Sequence, residues 1–137
     1  MPNWCNNRVE VYGDDKELKA WKDLVESKES KFDFNKILPM PEELRDTKSP
    51  VDEPNPELIE KYGYDEWYGW AVNNWGTKWS LHADSIEVDE CEDQIIYNFD
   101  TAWSPPEGIY RELQKKFPDL GISWFFDEPG MQFAGYL

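Results

Sequence analysis

Residues 95–117 read IIYNFDTAWSPPEGIYRELQKKF, and this stretch decides the fold. Ile95, Tyr97, Phe99, Thr101 and Trp103 recur at every second position, the period of a strand with one buried face. The period then changes. Ser104-Pro105-Pro106-Glu107 has the form of a helix start, with a serine N-cap, proline in the first turn and glutamate to close a capping box. Tyr110, Leu113 and Phe117 follow at helical spacing, and Pro118 stops the run. A strand that feeds directly into an amphipathic helix calls for partner strands on either side.

Upstream, Trp79, Leu81, Ala83, Ile86 and Val88 suggest a strand with a local irregularity, joined to the first by a turn within Asp89–Asp93. Downstream, Ile122, Trp124 and Phe126 form another strand. Glu128-Pro129-Gly130-Met131 has the order of a type II turn, and residues 133–137 can return as a last strand. At the other end of the chain, Cys5, Val9 and Val11 alternate with Trp4, Arg8, Glu10 and Tyr12. Gly13 breaks that strand, and Asp14 is placed to cap a helix that carries Leu18, Trp21, Leu24 and Val25 through about Lys28. Residues 32–37 read as a short extended stretch. The prolines at 39, 41, 50, 54 and 56 make 38–56 a loop, and Pro56 opens a helix broken at Gly63 and Gly69. The order strand, helix, strand, strand, helix, strand is the split βαβ arrangement. The expected fold is α+β: a ferredoxin-like βαββαβ antiparallel sheet in the order 4-1-3-2, with an extra C-terminal strand. Residues 1–137 are expected to form a single domain with an insertion at about 38–76.

Composition narrows the function classes. The 137 residues hold 29 acids against 14 lysines and arginines, a net charge of −15, while 8 Trp, 7 Tyr and 7 Phe supply the apolar area of a packed core. An anionic surface repels a polyanion, so duplex nucleic acid is not an expected partner. No stretch approaches the length of a membrane span and no leader pattern is present, so a cytoplasmic protein without membrane association is expected. Cys5 and Cys91, with His82 as the single histidine, are too few for a disulfide framework or a metal site, and no cofactor motif occurs. Two free, partly buried thiols are expected in a reducing compartment, although spacing alone leaves one bridge open.

Five strings, NWCNN at 3–7, FDFNKILPMPEEL at 32–44, NNWGTKW at 73–79, FDTAWSPP at 99–106 and EPGMQFAG at 128–135, resemble the YubB-type ferredoxin-like family. The resemblance runs over essentially the whole chain. It implies a ferredoxin-like fold and a home on bacteriophages and plasmids, and it carries no activity, cofactor or catalytic residue. The word ferredoxin names only the fold, because two cysteines cannot supply the four thiolates of an iron–sulfur cluster.

Chain direction in such a sheet brings four strings to one end: the starts of strands one and two and the ends of strands three and four. Asn6, Asn74, Trp75, Lys78, Trp79, Asp100, Thr101, Trp103 and Glu128 are therefore expected in one cluster, with Trp79 roughly opposite Trp103. Indoles give flat apolar walls, amides read donors and acceptors, and a lysine beside carboxylates holds an anion or tunes a proton. The same residues also have an architectural reading, with asparagines as caps, Lys78 paired to Asp100 and the tryptophans in the core. His82, without a nucleophile motif beside it, reads as structural or exposed.

Two functions follow as expectations. The first is a non-enzymatic, acidic accessory protein that binds a basic protein partner, mimicking nucleic-acid charge. The second is a small-ligand-binding protein or enzyme that uses the polar-aromatic sheet end, for which a concave pocket with Lys78, Asp100 and Trp79 would speak. Single-stranded nucleic-acid binding through sheet aromatics fits the fold better than the charge and ranks last.

Overall fold

A computed structural model describes residues 2–137. In chain order the elements are β1 (Trp4–Tyr12), α1 (Asp15–Val25), α2 (Phe34–Ile37), α3 (Glu42–Arg45), α4 (Pro56–Tyr62) and α5 (Trp67–Asn74). A 3-10 turn at Ala83–Ser85 precedes β2 (Glu87–Cys91), β3 (Gln94–Ala102), α6 (Glu107–Lys116), β4 (Gly121–Glu128) and β5 (Phe133–Tyr136). The sheet order is β2-β3-β1-β4-β5 with every pair antiparallel, so the expected 4-1-3-2 order holds and β5 extends it beyond β4. The fold is ferredoxin-like.

One face of the sheet carries the core. Cys5, Asn7, Val9 and Val11 of β1 are buried while Trp4, Arg8 and Tyr12 are exposed, as the two-residue period requires. Trp21 of α1 packs against Phe117 with ring centroids 5.5 Å apart and planes tilted by 56°, and Phe32 meets Tyr97 and Phe99 at 5.1 Å each. The two fully buried indoles have their donors satisfied: Trp21 Nε1 donates to Tyr97 Oη (3.1 Å) and Trp124 Nε1 to Asn7 Oδ1 (3.0 Å).

Several local expectations are corrected. Residues 34–37 are helical rather than extended, because Asp33 caps the Asn35 N–H (2.9 Å) and a three-residue spacing sends both Phe34 and Ile37 into the core. Helix α1 stops at Val25, short of Lys28, where the chain turns so that the Asp33 N–H reaches the Val25 carbonyl (2.8 Å). The 38–56 segment contains the single turn α3, and Gly69 lies inside α5, so only Gly63, at φ +82°, breaks the helical region. The 34–76 region lies outside the sheet yet is not peripheral: Met40, Leu44, Trp70, Ala71 and Trp75 join the common core.

The second strand begins at Glu87, not at Trp79. The Thr77 hydroxyl donates to the Ala102 carbonyl (2.9 Å), so residues 77–85 cross the end of β3 instead of running beside it. Ser104 is not the cap of α6. Pro106 occupies that position without a side-chain bond, and Ser104 Oγ donates to the Gly76 carbonyl (2.6 Å). The inserted segment replaces the capping box, because the Trp75 carbonyl accepts the Gly108 N–H (3.0 Å) at the helix start. The Glu128–Met131 turn is not type II either: the left-handed residue is Gln132, at φ 57°, and Glu128 Oε2 accepts the Met131 N–H.

Candidate functional site

At one end of the sheet, the strand ends and the crossing segment enclose a cleft of about 390 Å³ lined by Trp4, Trp79, Ser80, Leu81, His82, Ser85, Asp100, Thr101 and Ala102. Its position follows from the register. Trp4 pairs with Ala102, so the first indole rises beside the end of β3, and the segment pinned by Thr77 brings Trp79 over it. The two indole centroids are 6.2 Å apart at 41°, an open V rather than a stack. Both rings are more than two-fifths exposed, which makes them available surface.

Lys78 does not line the cleft and does not pair with Asp100. Its Nζ lies over the Trp79 ring, 4.1 Å from the centroid, within cation–π range. Among the described residues no cation lies within salt-bridge distance of Asp100. The residue is exposed, yet the protein around its carboxyl partly desolvates it and raises its pKa from the ordinary aspartate value. Thr101 is a structural wall: Asn7 Nδ2 donates to its hydroxyl (2.9 Å), which donates in turn to the Ser104 carbonyl (2.6 Å).

The expected cluster divides. Trp79, Asp100 and Thr101 meet at the cleft, and Asn6, flanked by Asp100 and Asp127 in the ladder, adjoins it on the open face. Trp75 leaves for the core, where its Nε1 donates to the Leu38 carbonyl (2.8 Å), and Asn74 back-bonds to the Trp70 carbonyl (2.9 Å) within its helix. Trp103 is not opposite Trp79 on a ladder. It lies past the end of β3 with φ 71°, exposed and outside the cleft lining. Glu128 is fully buried on the core face, one oxygen holding the Met131 N–H and Oε1 without a partner. Beside it Cys5 is also buried, and burial pushes its thiol up to about 11.

Sequence reasoning missed Ser80, Leu81, His82, Ser85 and Ala102 as lining residues and left Trp4 out of its chosen set. Reading 79–88 as a strand hid Ser80, Leu81, His82 and Ser85. The signal available was Ala83-Asp84-Ser85 ahead of Ile86, a polar break that suits a turn better than a ladder. Among the described residues, no three histidine, cysteine, aspartate or glutamate side chains are grouped to hold a metal, and no helix is long and apolar enough to cross a membrane.

Residues 74–137 match a family model described as the ferredoxin-like domain in Api92-like protein. The match takes in β2, β3, α6, β4 and β5, and with them Lys78, Trp79 and Asp100, but not β1 with Trp4 and Asn6. No curated protein and no solved structure matches the chain.

Proposed function

We propose that this chain is a non-enzymatic accessory protein of a mobile element, as the YubB-type resemblance implies, and that it docks the open face of its sheet on a basic protein. One observation carries the reading. The face away from the helices bears Trp4, Phe125 and Tyr136 among Glu10, Glu87, Asp89, Asp100 and Asp127, and Arg8, the one strand cation there among the described residues, is tied to Glu10 at 2.8 Å. Aromatic anchors inside a carboxylate field are what a cationic protein surface complements, and that field also speeds encounter. Carboxylates spaced along strands present the partner with negative charge in place of phosphates.

The test is capture of bacterial proteins on the immobilised chain at low and high salt, beside a D89N/D100N/D127N variant. Retention of a basic protein that salt releases and the variant fails to hold supports docking. Retention unchanged by the variant, or insensitive to salt, rejects it. The cleft favours a second reading, a small ligand held between Trp4 and Trp79, because its volume and mixed apolar and polar lining suit a compact organic group.

A further inference from the structure

We propose that the Trp4–Trp79 cleft recognises an organic cation on an alkyl stem, a guanidinium or ammonium group, with Asp100 as its counter-charge. The proposal deepens the reading of this sheet end as a binding site and does not depend on which partner brings the cation.

Three features point the same way. Two exposed indoles form a V whose faces offer the negative side of the aromatic quadrupole, the surface that attracts cations. Lys78 Nζ lies over Trp79 from outside the cleft lining, so that ring already holds an ammonium on one face, and Trp4, with no cation over it among the described residues, is the ring left free for an arriving one. Asp100 lines the same cleft, is without an ion pair among the described residues, and is partly desolvated, so an arriving cation relieves an existing cost. Ser80 and Ser85 add side-chain hydroxyl groups to the wall, and Leu81 and Ala102 give the alkyl stem apolar contact. An anion meets the opposite conditions, with Asp100 in the wall and a net charge of −15 behind it. A planar guanidinium suits the V best, because it stacks on an indole and pairs with a carboxylate at once.

The experiment is an NMR titration of the full chain that follows the indole N–H signals, with Trp124 in the core as the reporter of an intact fold. The probes are n-butylguanidinium, N-acetyl-arginine methylamide and, as the neutral isostere, N-acetyl-citrulline methylamide. Saturable shifts at Trp4 and Trp79 with a Kd of roughly 1–10 mM are expected from the cations, and about tenfold weaker binding from citrulline. Asp100→Asn, of nearly the same shape, weakens the cations by about tenfold and leaves citrulline unchanged. Binding of the butyl compound alone identifies a free cation as the ligand, and equal binding of the capped arginine identifies a protein side chain. Absence of saturation by either cation, equal binding of citrulline, or an unaffected D100N variant overturns the proposal. Loss of cation binding with docking of a basic protein intact removes this inference and leaves the proposed function standing; the reverse pattern removes only the function.

Discussion

At Asp100 the interests of folding and binding diverge. Partial desolvation at the cleft wall raises its carboxyl pKa, so the folded chain holds that proton more tightly than the unfolded chain does. Stability from this group therefore grows as pH falls from above the raised folded value toward the ordinary aspartate value near ~4. Asp100→Asn removes the cost of the charge: its melting temperature should exceed that of the wild type at pH 7, with the gap narrowing as pH falls through that window. A gap that widens on acidification refutes the burial argument. The two cysteines differ as sharply. Cys5 is fully buried with its thiol pushed up to about 11, and Cys91 is exposed, so iodoacetamide at pH 8 should modify Cys91 alone in the native state and both after unfolding, as read by mass spectrometry. No bridge can join them in this fold. Cys5 pairs with Thr101 and Cys91 with Gln94, seven residues apart along β3, which is roughly 23 Å at the rise of a strand.

Among the elements, the contact between the inserted segment and the start of α6 governs the site. Gly76, at φ +96°, turns the chain there, and a Cβ on Gly108 would stand 1.6 Å from the Asn74 carbonyl oxygen. That approach lets the Trp75 carbonyl accept the Gly108 N–H, and it fixes the origin of the 77–85 segment that carries Trp79 to the cleft. Gly108→Ala must push the helix and the segment apart, at a cost of about 2–3 kcal/mol. Chemical denaturation should show that loss, and the Trp79 indole signal should move while Trp124 stays in place. An alanine variant of full stability would mean that the two elements do not approach so closely.

Over the whole molecule, charge decides what approaches. The sheet face concentrates carboxylates where aromatic side chains are exposed, and 29 acids against 14 lysines and arginines set a field that opposes a polyanion. Duplex DNA should not be retained in a gel shift at physiological salt, and retention at micromolar protein would contradict this. With a basic partner, association should slow steeply as salt rises, because screening confines the field to about 8 Å at physiological ionic strength.

Period and punctuation in the sequence determined the sheet. Alternation in 4–12 and 95–102, the helical spacing in 15–25 and 109–117, and the breaks between them give the succession of a split βαβ arrangement, whose strand order the sheet has, and burial of one face then fixes register. Net charge likewise needed no structure. Local pattern failed where a distant group took over a local role. Trp75 replaced Ser104 at the start of α6, the Thr77–Ala102 bond lifted 78–85 off the ladder, and the core drew in Trp75 and Glu128 while Trp103 turned outward. Asparagines and tryptophans carry no mark of which face they will occupy, since each serves equally as cap, core or contact. The cleft is therefore a product of tertiary structure: Trp4 and Trp79 lie 75 positions apart in the chain, and only the crossing of the sheet end makes them neighbours.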